Sequence, residues 1–146
     1  MDGNLMDGME RLLIERDCTR LSADYGRFVD FGQASRAADL FTEDGVCELS
    51  AGRFEGIGQI RAFFEKRQAQ ADVVSRHVMT NIAIHVHDDG HATGLVYLTF
   101  YRVAWDGDGP APLGLPSYVG SYTDEYRRTP AGWRIASRIA STALKS

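Results

Sequence analysis

The stretch from Ser75 to Thr142, SRHVMTNIAIHVHDDGHATGLVYLTFYRVAWDGDGPAPLGLPSYVGSYTDEYRRTPAGWRIASRIAST, decides the fold. It divides into runs rich in β-branched and aromatic residues at about 75–87, 92–105, 115–128 and 132–142. Between them stand Asp88-Asp89-Gly90, the loop Asp106 to Pro112, and Thr129-Pro130-Ala131-Gly132. None of these connections is long enough for a crossover helix, so the strands are expected to run antiparallel in one curved sheet.

Upstream the period changes. From Met9 to about Asp30 the apolar residues Leu13, Cys18, Leu21, Tyr25, Phe28 and Val29 recur at close to helical spacing. Gly32 stops that helix, and Gln33 to Phe41 reads as a short second one. Val46 to Leu49 and Arg53 to Glu55 flank Ala51-Gly52, a hairpin signal. Ile57 to Gln70 reads as a third helix, with Ile60, Phe63 and Phe64 on its apolar face. Residues 1–8 read as a disordered tail ahead of one domain over 9–146. Helices first and strands afterwards make an α+β protein, with helices covering one face of the sheet.

Composition excludes several classes. At 146 residues the chain suffices for one domain with a core of its own. A net charge of −4, with arginines scattered along the chain, offers no phosphate-binding stripe, so no nucleic-acid partner is expected. No apolar run reaches membrane-spanning length, and the acidic start MDGNLMDGME is unlike a signal peptide. A cytoplasmic protein without a membrane partner is expected. Cys18 and Cys47, with no CxxC spacing, read as buried thiols rather than as a zinc site or a disulfide.

Three stretches carry a family likeness. They are YGRFVD at residues 25–30 leading into ADLFTEDGV at 38–46; FEG at 54–56 followed by IRAFF at 60–64; and RHVMTNI at 76–82 with GWRI at 132–135. In this order, over about residues 9–142, they resemble the nuclear transport factor 2-like superfamily, and within it the SnoaL-like group. The resemblance implies a cone-shaped α+β barrel, its strongly curved mixed or antiparallel sheet wrapped around the N-terminal helices. It does not fix function, because the superfamily holds dehydratases, isomerases, cyclases, dioxygenase small subunits and binding proteins.

Function therefore rests on the interior. On the 92–105 strand Val96, Leu98, Phe100 and Arg102 share the face expected to look inward, and Leu95, Tyr97, Thr99 and Tyr101 share the other. On the last strand Trp133, Ile135, Ser137 and Ile139 form an apolar-biased face, with Arg134, Ala136 and Arg138 opposite. A pocket lined by Tyr25, Val29, Phe63, Val96, Leu98, Phe100 and Trp133 would take a small apolar or aromatic ligand. The outer stripe on the 92–105 strand is expected to be covered by a second copy, giving a homodimer.

Asp30 and His77 are the chemical candidates. By resemblance, they match the aspartate and one of the two histidines of the scytalone dehydratase pocket. A carboxylate that orients an imidazole fixes its tautomer and raises its basicity, giving a base able to remove a proton beside a carbonyl. A helical wheel, by contrast, puts Asp30 well away from the Leu21–Tyr25–Phe28 stripe, as a solvated helix end. The family's second histidine falls near Tyr101-Arg102, where none stands; Arg102 is instead expected to pair with Asp30 or to polarise a carbonyl. The family's tyrosine before the aspartate is Val29 here, so Tyr25, one turn earlier, is the candidate phenol. No cofactor is expected. His85, His87 and His91, around Asp88-Asp89-Gly90, have metal-ligand chemistry but stand at a turn that is normally solvated. Three classes follow: a cofactor-independent lyase or isomerase, a non-catalytic ligand binder, and a dioxygenase accessory subunit.

Overall fold

The computed structural model describes residues 6–146; the part of the expected tail at residues 1–5 lies outside them. Helix α1 runs Gly8–Asp30, starting ahead of the apolar repeat because the Asp7 side chain accepts the Glu10 N–H at 2.7 Å as an N-cap. At its other end Gly32 adopts φ 82° and the Gln33 N–H reaches back to the Phe28 carbonyl at 2.9 Å. This is a Schellman close, which only a residue comfortable at positive φ completes cheaply. The expected second helix is a short 3-10 helix, Ala34–Leu40. Helix α2 covers Ile57–Gln68.

The strands are β1 (Phe41–Leu49), β2 (Gly52–Glu55), β3 (Val73–Val86), β4 (His91–Ala104), β5 (Tyr118–Thr129) and β6 (Gly132–Lys145). They form one six-stranded sheet in the order β2-β1-β6-β5-β4-β3. All neighbours are antiparallel except β1 and β6, which run parallel, so the sheet is mixed. It curves but does not close, because β2 and β3 are edges; α1, packed on β3 and β6, and α2 complete the cone. The turn between β1 and β2 is Ser50-Ala51, with Leu49 opposite Gly52.

Two irregularities re-aim side chains. In β3, Asn81 stands at φ 50° where the register to β4 shifts between Thr80 and Ala83. His77 and Met79 are partly buried before this bulge, and Ile82 and Ile84 after it. In β6, Ile135 faces Tyr126 while Ser137 faces Glu125, leaving Ala136 as the extra residue. Strict alternation therefore fails there. Trp133 and Ile135 are buried as expected, but beyond Ala136 it is Arg138 that turns inward, 0% exposed, and not Ser137 or Ile139.

The core lies between α1 and the inward face of β4, β5 and β6, built on Ile14, Cys18, Leu21, Tyr25, Val96, Leu98, Tyr122, Tyr126 and Ile135. Cys18 and Cys47 are both free thiols sealed inside it, each pushed up to about 12, by burial first, and so left unreactive. Among the described residues no helix is long and apolar enough to cross a membrane.

Candidate active site

Asp30 ends α1, where the helix dipole disfavours a negative charge. Its carboxylate is nonetheless 4% exposed, because β3 crosses that end of the helix. Gly26 permits the approach: a Cβ there would meet the Met79 methyl at 2.9 Å and the His77 Cβ at 3.4 Å. The crossing strand then supplies the partners. Asp30 Oδ1 accepts the Ser75 hydroxyl at 2.7 Å and lies 2.7 Å from His77 Nδ1, and Oδ2 accepts the His77 backbone N–H at 2.7 Å. The wheel reading of a solvated helix end is thus corrected by tertiary packing. Burial pushes the Asp30 carboxyl up, but the His77 and Ser75 contacts outweigh it and hold the acid below its ordinary value.

An ionised carboxylate at Nδ1 selects the tautomer that carries its proton there and leaves the Nε2 lone pair free. His77 lines a cavity of about 350 Å³ whose wall also holds Tyr25, Val29, Phe63, Phe64, Phe100, Tyr118 and Tyr122. The rings meet mostly edge to face: Tyr25 lies 5.7 Å from both His77 and Phe64, and Phe100 lies 4.6 Å from His77. The hairpin Leu49-Ser50-Ala51 and the side chains of Lys66, Arg67, Gln70 and Arg102 complete the lining.

Of the expected site residues, Tyr25, Val29, Phe63, His77, Phe100 and Arg102 line this cavity; Asp30 stands behind His77. Three expected lining residues do not. Val96 and Leu98 lie deeper along β4, at 0% and 1% exposure, packed into the core. Trp133 opens β6 and lies beside Leu13, Ile14, Leu21 and Phe28, away from the cavity residues. The expected Asp30–Arg102 pair is also absent. Arg102 donates to Gln70 Oε1 at 2.9 Å, and it is Arg67 that approaches Asp30, through the Ser75 hydroxyl at 3.0 Å.

Sequence reasoning missed a buried polar cluster under the cavity floor. Arg138 donates from Nε to Asp124 Oδ1 at 3.0 Å and from Nη2 to Oδ2 at 2.8 Å, and also to the Ser22 hydroxyl at 2.7 Å. The Tyr126 hydroxyl donates to Asp124 Oδ2 at 2.7 Å. The guanidinium lies 4.6 Å from the Tyr25 ring and 4.3 Å from the Tyr122 ring, on their far side from the cavity. Burial works against its charge, yet Asp124 holds Arg138 firmly protonated. Burial likewise keeps Tyr25 and Tyr122 neutral phenols. The signal was present in β5, where Gly120, Tyr122, Asp124 and Tyr126 alternate on one face and an acid between two tyrosines needs a cation.

Among the turn histidines, His85 meets His87 edge to face at 4.5 Å and His87 stacks on His91 at 4.8 Å, with His87 Nε2 2.9 Å from the Thr93 hydroxyl. Among the described residues no three His, Cys, Asp or Glu side chains are grouped as metal ligands.

A protein-family model described as a SnoaL-like domain matches residues 10–139. The chain belongs to this family. No curated protein matches the SnoaL-like chain in sequence. Among solved structures, it is similar to a candidate scytalone dehydratase from Novosphingobium aromaticivorans, with TM-score 0.80, 18% identity and coverage of 96% of this chain and 91% of that one. A candidate aromatic ring hydroxylase from the same organism gives TM-score 0.75, 26% identity and 91% coverage of both. A hexachlorocyclohexane dehydrochlorinase gives 0.76, 15% identity and coverage of 96% and 92%. At such identities the first and third bear on the fold alone. An NTF2-like protein with a cystatin-like fold from Novosphingobium aromaticivorans, at TM-score 0.72, 26% identity and coverage of 90% of this chain and 84% of that one, agrees with placing the SnoaL-like domain in the nuclear transport factor 2-like group.

Proposed function

We propose that this SnoaL-like protein is a cofactor-independent lyase or isomerase that removes a proton beside the carbonyl or hydroxyl of a small, ring-containing compound. One observation carries the reading: an imidazole bound through Nδ1 to a buried carboxylate at 2.7 Å, in the wall of an aromatic cavity. In the proposed step His77 Nε2 takes the proton, Asp30 stabilises the imidazolium that forms, and the Tyr25 and Tyr118 phenols are the candidate donors to the oxygen that gains charge. The two buried free thiols fit a reducing, cytoplasmic setting.

The test is proton exchange in D2O, followed by proton NMR, over a panel of cyclic aryl ketones and β-hydroxy aryl ketones. The expected result is deuterium uptake at the α-carbon, or loss of water, well above a protein-free control. Panel members that bind but show neither would overturn the reading.

We propose further that the working form is a homodimer paired through the outer sheet face. Following the register across β3, β4, β5 and β6, the rows Thr80–Tyr97–Ser121–Ser141 and Val78–Thr99–Val119–Leu144 contain no charged residue. The row Ala83–Leu95–Thr123–Ile139 is uncharged as well. Val78, Leu95, Tyr97 and Leu144 in this band are 42–67% exposed, an apolar patch of a kind isolated monomers seldom keep. Light scattering at micromolar concentration is expected to give twice the chain mass, and Tyr97→Glu to give the single mass. A wild-type monomer, or a complex only with a different protein, would rule the homodimer out.

A further inference from the structure

The mouth of the cavity is far more basic than its interior. Lys66 and Arg67 come from the last turn of α2, and Arg102 comes from β4. All three line the same cavity, and no Asp or Glu is among the lining residues. Among the described residues none of the three is paired with a carboxylate. The guanidinium contacts are neutral: Arg102 to Gln70 Oε1 at 2.9 Å, and Arg67 to the Ser75 hydroxyl at 3.0 Å and the Gln70 carbonyl at 3.5 Å.

A helix C-terminus favours cations, which accounts for Lys66 and Arg67 in part. It does not account for Arg102, which reaches the same mouth from the sheet. Nor does it offset the repulsion between them: Arg67 is held below its ordinary value, by burial first and by the charge of Arg102 next. Asp30, reached through the Ser75 hydroxyl, offsets part of the Arg67 charge, but three cations around a lining that holds no carboxylate are a binding feature more often than a folding one. Gln70 tethers both guanidinium groups, Arg67 through its carbonyl and Arg102 through its side-chain oxygen. A planar guanidinium suits a carboxylate better than a spherical anion.

We propose that the ligand is an aromatic or alicyclic carboxylate, its ring held against Tyr25, Phe64 and Phe100 and its carboxylate between Arg67 and Arg102 at the mouth. The proposal rests on the cavity being the working site and adds the substrate's charge to it. With the anion anchored at the rim, a ring carbon is presented to His77, and the binding energy of the remote carboxylate is available for orientation.

The test is calorimetric titration of the full chain with 1-naphthoate and with 1-naphthamide, its neutral isostere. Naphthoate is expected to bind roughly tenfold tighter at low salt, the worth of one charge-assisted hydrogen bond. The gap is expected to narrow as sodium chloride is added, since the rim is open to solvent. Arg102→Gln, a change at an exposed side chain that folding does not depend on, is expected to remove most of the preference, and Arg67→Gln/Arg102→Gln all of it. Equal or weaker binding of naphthoate, no binding of either probe, or a preference that survives in the double variant would overturn the proposal. The lyase reading fails separately, by an absence of exchange with neutral and carboxylated ketones alike while the naphthoate preference persists.

Discussion

Replacing Arg138 with methionine costs the fold about 3–5 kcal/mol, a large share of what a domain of this size has to lose. The side chains of Arg138 and Asp124 are both 0% exposed, and their two hydrogen bonds hold the carboxylate in a forked grip. Methionine fills the space but leaves Asp124 as a buried charge with only the Tyr126 hydroxyl for company. Most of the loss comes from that stranded carboxylate rather than from the missing pair. In urea denaturation the double change Arg138→Met/Asp124→Leu is expected to recover most of the stability. A single-variant loss below about 1 kcal/mol would mean the pair is near break-even and the network dispensable. Arg138 Nη1 has no hydrogen-bond partner, so the tyrosine rings supply part of what the cluster lacks.

His77→Ala is expected to slow proton exchange by about two to four orders of magnitude, the usual worth of a positioned base. Asp30→Asn is expected to come close to it. The asparagine amide has one acceptor oxygen, while the native carboxylate takes the Ser75 hydroxyl, His77 Nδ1 and the His77 backbone N–H. Keeping the backbone bond turns an NH2 toward the imidazole and selects the wrong tautomer. The stability consequence has a definite sign. Because the Asp30 carboxyl is lowered in the folded protein, its contribution is fully present above about pH 4 and is lost as pH falls through its folded value. The stability gap between wild type and Asp30→Asn should therefore be flat at neutral pH and shrink in acid. An Asp30→Asn variant with undiminished exchange would reduce Asp30 to a structural residue.

Much of this was readable in the chain, and the failures share a cause. The two α-helices, the existence of the four long strands and the inward face of β4 follow from period, and on β4 no extra residue interrupts the alternation. Arg138 was misassigned because alternation was carried across Ala136, and a bulge shows in a sequence only as one ordinary residue too many. Asp30 was misjudged by the wheel because burial at a helix end is decided by what crosses it, here β3 after some forty residues of intervening chain. The parallel pairing of β1 with β6 was likewise invisible, since it joins the first strand to the last. Arg67 escaped notice because its role appears only when α2 is laid beside Ser75.

The floor under the cavity has a consequence for traffic. Tyr25 and Tyr122 roof over Arg138, and the cluster beneath them is anchored to α1, β5 and β6 together. No side chain of that cluster can swing aside without stranding a charge, so the chamber is shut on this side and the rim at Lys66, Arg67 and Arg102 lies across from a fixed floor. On the reading proposed above, substrate and product would occupy one berth in turn, a product that keeps the anionic group would hold the doorway as firmly as the substrate did, and the rim that recruits the ligand would also delay its release.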